Sequence, residues 1–317
     1  MVQASRRTYI IYSVLGAAIA LFLILAYVQP GRLSLQSHPN LPLGLFKEKE
    51  KAPWLIATMS AASSQRRRNI IRSTWQHTFR NLGHFDTVFV IALAKDHDLW
   101  EPLIRQENAT WGDLVLLDHI EENRDIANTI KPIEFYKHLV HKHEAEGGEP
   151  WKFVSKIDDD SYLDATTFYN EFLLPRLDYN DTIIARYLSW AEMTNQDVDF
   201  PCPGGQFYTM SWDIVETLAR LHTENPIQNL MEDGMLGKLL YEGNHPWELV
   251  RLNDSRAFDI NEETFHGQGM PPEKPDLGPV EEMTIAVNPH KMKKDESYLR
   301  VAALFDEHGF KNRNASG

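Results

Sequence analysis

Apolar and polar positions follow two rhythms along this chain, and the change from one to the other marks its elements. Trp54-Leu55-Ile56-Ala57-Thr58-Met59, Thr87-Val88-Phe89-Val90-Ile91-Ala92-Leu93 and Leu114-Val115-Leu116-Leu117 are short continuous apolar runs, the pattern of strands buried on both faces. Residues 152–157 form a fourth such run. Between them the spacing turns helical, over residues 66–79 and again over 123–144. The second stretch has apolar positions at Ile126, Ile130, Ile133 and Leu139, and Gly147-Gly148 ends it. Buried strands separated by helices predict an α/β domain whose sheet is largely parallel and covered on both faces.

Beyond Asp160 the pattern loosens. It predicts a helix over 165–177, a short strand at Thr182-Ile183-Ile184-Ala185, and a glycine turn at Pro203-Gly204-Gly205 leading into Phe207-Tyr208-Thr209-Met210. Helices over 211–222 and 231–240 follow, the latter with an acidic start. Residues 262–282, rich in Pro, Gly and acids, read as a mobile loop. A late strand, Thr284-Ile285-Ala286-Val287, precedes Asn288-Pro289-His290.

The amino-terminal end has a different character. Residues 9–28 are 20 positions without a charged side chain. At 1.5 Å per helical residue they span about 30 Å, the thickness of a bilayer's hydrocarbon core. Arg6 and Arg7 precede the run, so the positive-inside rule keeps residues 1–8 cytosolic. The run is longer than the core of a cleaved signal peptide and does not end in small residues, which predicts an uncleaved anchor. Residues 29–52, broken by Pro30, Gly31, Pro42 and Gly44, read as a stem. Residues 53–317 then form a lumenal domain. Sequons at Asn108, Asn180, Asn253 and Asn314 agree with that side of the membrane.

Charge and cysteine usage narrow the function. A net charge of −13 excludes nucleic acid as a general partner. The dense basic patch Arg66-Arg67-Arg68 with Arg72 is too short for a nucleic-acid footprint but suits one small anionic ligand. Cys202 is the single cysteine, hemmed in by Pro201 and Pro203, and is expected to be buried.

Four constellations carry chemistry. Arg68 and Arg72, at i and i+4, share a helix face and would grip a phosphate or orient an acid. Asp158-Asp159-Asp160 follows the fourth strand. It reads either as an acidic turn or as carboxylates that hold a divalent cation, with Asp160 on the metal and Asp158 or Asp159 accepting from nucleotide or sugar hydroxyls. Glu232-Asp233 reads either as a complement to a helix dipole or as a general base whose neighbour raises its proton affinity. His290 follows the late strand and is a metal-ligand candidate, with His266 as its competitor.

Taken jointly these segments carry a resemblance. Arg67-Arg68-x-Ile70-Ile71-Arg72-x-Thr74-Trp75, Lys156-x-Asp158-Asp159-Asp160, Pro201-x-x-Gly204-Gly205-x-Phe207-Tyr208-x-Met210-Ser211 and Glu232-Asp233-x-x-x-Gly237 stand in one order. That order is similar to the motif order of the inverting β-1,3-galactosyltransferase family, type II membrane glycosyltransferases. The paired cysteines of many animal members are absent, which points to a fungal-type branch. The resemblance implies a GT-A-type nucleotide-sugar transferase fold, preceded by one transmembrane helix. It implies a UDP-sugar donor, a glycan or glycoconjugate acceptor, Mn²⁺ (or Mg²⁺) as cofactor, and a Golgi membrane location. By the family pattern Asp233 is the catalytic base, Asp160 and a C-terminal His bind metal, and Arg68, Arg72, Asp158, Asp159, Gly204, Gly205 and Glu232 contact substrate. UDP-N-acetylglucosamine or UDP-glucose remain rival donors, and an inactive anchored carbohydrate-binding protein is the rival from another class. A metal phosphatase or nuclease would need an Asp nucleophile signature that Asp160-Ser161-Tyr162 does not supply.

Overall fold

The computed structural model describes residues 51–260 and 286–311. The expected anchor over 9–28, the stem up to residue 50, the 262–282 loop with His266, residues 284 and 285, and the sequon at Asn314 lie outside the described residues. Among the described residues no helix is long and apolar enough to cross a membrane.

Seven strands form one sheet: β1 (Trp54–Met59), β2 (Phe85–Leu93), β3 (Leu114–Glu121), β4 (Phe153–Asp158), β5 (Thr182–Ser189), β6 (Pro201–Ser211) and β7 (Glu248–Arg251). Their spatial order is β3-β2-β1-β4-β6-β5-β7. Only β6 is antiparallel to its neighbours, so the sheet is mixed but largely parallel. A separate parallel pair, β8 (Ala257–Asp259) with β9 (Asn288–His290), lies later in the chain.

The principal helices are α1 (Gln65–Ile71), α2 (His97–Trp111), α3 (Ile130–Glu146), α4 (Trp212–Glu224), α5 (Glu232–Glu242) and α6 (Asp295–Ala302). Alternate residues of β1 enter two different cores. Trp54 and Ile56 join Trp75, Phe89, Phe153 and Phe168 on one face. Leu55 and Ala57 join Val90, Tyr136, Val154 and Leu218 on the other. A strand covered on both sides has no polar face to show, which is why these strands read as unbroken apolar runs.

The chain leaves β1 towards β2 and β3, then returns to place β4 on the other side of β1. Such a reversal opens a crevice at the carboxyl ends of the two strands, the place where open α/β sheets take their ligands. Asp158 is the last residue of β4.

Several elements differ from expectation. The 66–79 helix is regular only through Ile71. Thr74 leaves helical geometry at φ −107°, ψ −110°, with its hydroxyl donating to Ile70 O (2.7 Å). The 123–144 helix divides at Thr129 (φ −131°, ψ −64°) into Arg124–Asn128 and α3. The 165–177 helix is regular only over Ala165–Phe168. Helix α2 was not anticipated, since it carries Pro102 and buries little beyond Ile104 and Glu107. Pro203, Gly204 and Gly205 are not a turn but part of β6; Pro203 pairs with Tyr187 of β5, and the two glycines lie where the β5–β6 register shifts. His290 does not follow the late strand but ends it: the described strand runs Asn288–His290.

Candidate active site

The turn after β4 brings Asp158 and Asp160 to one side, as their alternation implies. His290 faces them, its Nε2 3.7 Å from Asp158 Oδ2 and 3.4 Å from Asp160 Oδ1. One ligand atom from each of the three lies within 4.8 Å of the others. The position of His290 is fixed by pairing. Register places it opposite Asp259, and its Nδ1 lies 2.8 Å from Asp259 Oδ1. Buried Asn288 pins the same strand by donating to Tyr162 O (2.9 Å) and accepting from Gln206 Nε2 (2.8 Å). Lys291 Nζ holds the other Asp259 oxygen at 2.5 Å, and Lys293 Nζ lies 2.5 Å from Asp160 Oδ2.

Burial alone would raise the Asp160 carboxyl and lower the His290 imidazole. Their pairing, aided by Lys293 and Asp259, reverses both signs. Asp160 is held well below the usual carboxylate range and His290 is pushed up to about 9. Asp159 goes the other way, up to about 6, because it is buried beside the Asp160 charge and outside the His290 cluster.

Two carboxylates and an imidazole whose second nitrogen sits on a carboxylate make a donor set suited to Mn²⁺ or Mg²⁺. His290 Nε2 and the Lys293 ammonium lie on the two different oxygens of Asp160. The residues therefore fit a divalent cation.

Helix α5 brings the second acid pair. Glu232 is 5% exposed and pairs with Lys156 Nζ at 2.9 Å. The same ammonium lies 2.7 Å from Asp158 Oδ1 and donates to Gly205 O. Burial would lower the Lys156 pKa, but Asp158 and Glu232 together raise it, so it stays charged. One buried cation thus joins β4, β6 and α5. Asp233 is half-buried; its Oδ1 accepts from Gly234 N–H (2.9 Å), and burial raises its proton affinity. Gly205 faces both acids, since a Cβ there would stand 3.7 Å from Asp233 Oδ2 and 3.8 Å from Glu232 Oε1. Gly204 instead passes Arg186, whose Cβ would be 3.0 Å away.

A galactosyltransferase family model matches residues 66–244, more than half of the 317-residue chain. The chain belongs to the galactosyltransferase family. The matched segment contains Asp158, Asp160, Glu232 and Asp233 and stops before Asp259 and His290. This galactosyltransferase-family protein is 26% identical over 129 residues to human UDP-GalNAc:beta-1,3-N-acetylgalactosaminyltransferase 2, a match covering 38% of this chain and 24% of that relative. It thus spans about a quarter of the length of that curated relative. Among solved structures, the galactosyltransferase LgtC with donor and acceptor sugar analogues matches at 10% identity and TM-score 0.43, over 78% of this chain and 95% of that one. The bifunctional glycosyltransferase WbbM matches at 11% identity and TM-score 0.45, over 80% and 50% respectively.

In the first motif of this glycosyltransferase, Arg68 and Arg72 are both engaged with acids of the chain itself. Arg68 is 0% exposed and meets Glu107 with Nε and Nη2 at 2.8 and 2.7 Å, while Nη1 donates to Ser60 Oγ (3.1 Å). Arg72 meets Asp113 with Nε and Nη2, both at 2.8 Å, and Glu107 Oε1 at 2.8 Å. Both guanidinium groups orient acids, and so bind α1 to α2 and to the residue before β3.

Three residues at or behind the site, Lys156, Asp259 and Lys293, carried no role in the sequence reading, and Arg67 figured there only within the basic patch. Arg67 donates to Met292 O (2.8 Å) and Lys293 O (2.7 Å), tying α1 to the segment after His290. Lys156, two residues before Asp158 on one strand face, carried a signal in that spacing. Asp259 and Lys293 carried none, because Asp259 meets His290 31 positions on and Lys293 meets Asp160 133 positions back.

Proposed function

We propose that this chain is a Golgi type II membrane enzyme of GT-A type. It transfers a hexose, foremost galactose, from a UDP-sugar to a glycan hydroxyl, forming a β-1,3 linkage with inversion. The observation that carries this reading is Lys156, whose ammonium connects the Asp158–Asp160–His290 set to the Glu232–Asp233 pair. A site for the donor and a site for the acceptor's proton are thereby held side by side.

The base is Asp233. Glu232 is buried and committed to Lys156, whereas Asp233 is half-buried and spends Oδ1 on Gly234 N–H. Asp233 takes the proton of the acceptor hydroxyl as that oxygen attacks the anomeric carbon. The bond from that carbon to the diphosphate breaks, and its electron pair leaves with the diphosphate oxygen. Asp160 and His290 would hold Mn²⁺ or Mg²⁺, with Asp158 close enough to join them. The bound cation would neutralise charge on the departing diphosphate. Asp259 keeps His290 Nε2 turned towards the carboxylates.

Residues 9–28 supply the membrane anchor and the chain beyond residue 28 faces the lumen. The test is UDP release from UDP-galactose, UDP-N-acetylgalactosamine, UDP-N-acetylglucosamine and UDP-glucose, in Mn²⁺ and in EDTA, with and without simple glycoside acceptors. The expected result is acceptor-dependent, EDTA-sensitive release, greatest with UDP-galactose. Absence of release with every donor would leave an anchored glycan-binding protein instead.

A further inference from the structure

The segment after His290 is held more firmly than a surface position requires. Met292 is fully buried, its N–H donates to Asp160 O (3.0 Å), and Arg67 fixes the carbonyls of Met292 and Lys293. Arg67 also pairs with Asp295 (3.0 Å) at the start of α6. Lys291 adopts φ 67°, a left-handed conformation uncommon outside glycine. Within this frame Lys293 Nζ lies 2.5 Å from Asp160 Oδ2, although the lysine side chain is 75% exposed and the aspartate is buried. Surface ion pairs seldom order a lysine. This one is placed by its backbone, and its partner is an oxygen of the residue best suited to hold the divalent ion.

We propose that Lys293 is the exchangeable counter-cation of the metal set: it neutralises Asp160 while the set lacks its ion, gives up that oxygen when the ion binds, and then places its ammonium on the nucleotide diphosphate. The inference rests on the function proposed above and adds the residue that receives the diphosphate. Two cations on one carboxylate repel at contact distance. The four-carbon stem lets the lysine withdraw without moving the backbone. The incoming diphosphate brings the negative charge that the displaced ammonium then meets, and a lysine serves phosphate as a point charge.

The test compares the parent, Lys293→Met and Lys152→Met, by calorimetry with Mn²⁺ alone and with UDP in saturating Mn²⁺. Lys152 is exposed at the amino end of β4, about 20 Å along the strand from Asp158, and matches the charge removed. Lys293→Met should bind Mn²⁺ alone several-fold more tightly, because a competitor is gone. It should bind UDP about tenfold or more weakly, because a charge-assisted hydrogen bond is gone. Lys152→Met should change neither. Two changes of the same sign, or no change in either, would overturn the exchange. A parent that binds Mn²⁺ and UDP while Lys293→Met leaves both affinities unchanged overturns this inference and spares the proposed function. A parent that binds neither overturns both.

Discussion

Gly237 and Cys202 are in direct contact across α5 and β6. A Cβ at Gly237 would stand 2.5 Å from Cys202 Sγ and 2.7 Å from Pro201 O. The glycine that ends the Glu-Asp motif therefore has a packing reason. It lets the helix that carries Asp233 lie against the strand that carries Gly205, and it seals Cys202 in a site where burial pushes the thiol up to about 12.

Gly237→Ala tests that contact. An alanine in a helix interior gains about 1 kcal/mol over glycine, while overpacking against a backbone carbonyl costs about 1–3 kcal/mol. The clash involves main chain, so the cost should prevail. We expect a net loss of stability in urea unfolding and a lower kcat, because α5 must shift to relieve the clash. A variant more stable than the parent would show that α5 has room to spare.

How much of this was legible in the sequence follows from the kind of contact involved. Strands buried on both faces announce themselves locally, so β1 and β4 were readable, as was the delivery of Asp158 by β4; β2 and the edge strand β3, which exposes Leu116, were readable from their apolar runs alone. Residues 201–205 were not, because Pro and Gly signal a turn unless neighbouring strands demand otherwise, and here β5 pairs with Pro201, Cys202 and Pro203. Asp158 with Asp160 was readable from adjacency. The pairing of His290 with Asp259 depends on a parallel register between segments about 30 residues apart, which no local pattern encodes. The pairing of Arg68 and Arg72 was half readable. Their shared helix face was legible, but nothing local pointed to Glu107 of α2 and Asp113 before β3 as their partners.

Arg68→Met should destabilise the fold rather than alter substrate binding. Breaking a buried ion pair costs about 3–5 kcal/mol, and Arg72 remains on Glu107, so the lower end is expected. Burial pushes Glu107 upward, but Arg68 and Arg72 outweigh it and hold the carboxyl below its usual value. The native state thus binds this proton less readily than the unfolded chain. The stabilisation is complete above the usual carboxylate pKa and is lost as pH falls through that value towards the lower native one. Melting curves of the parent and Glu107→Gln, from pH 7 down to pH 3, should converge at the acid end. A gap that stays constant across this range would remove Glu107 from the acid response.

Asp160→Asn and Asp259→Asn separate ligation from orientation. The first removes a donor and should weaken both Mn²⁺ and UDP binding, as EDTA should weaken UDP binding to the parent. The second leaves every donor in place but frees the His290 ring, and loss of such a support costs about 10- to 100-fold in metal affinity. Calorimetry in Mn²⁺ reads both. Equal UDP affinity with and without metal in the parent would reduce the Asp triplet to an acidic turn.

Asp233→Asn separates an enzyme from a binding protein. The amide keeps the shape and the acceptor for Gly234 N–H but has no useful basicity. Loss of a general base typically lowers the rate by about 10²- to 10⁴-fold. Donor affinity should hold if Asp233 is the base proposed above, because such a base acts on the acceptor's proton and the metal candidates are other residues. The parent's pH profile gives an independent reading. Burial raises the Asp233 carboxyl above its ordinary value, with Gly234 N–H and Lys156 opposing. Only the deprotonated form accepts a proton, so kcat should fall as pH drops through that raised value and level off above it. The residual activity of Asp233→Asn should lack this acid limb. Were Asp233 only a complement to the dipole of α5, its replacement would cost under about 1 kcal/mol of stability and leave turnover near normal. Turnover within about threefold of the parent at matched UDP affinity would therefore move the base to another acid.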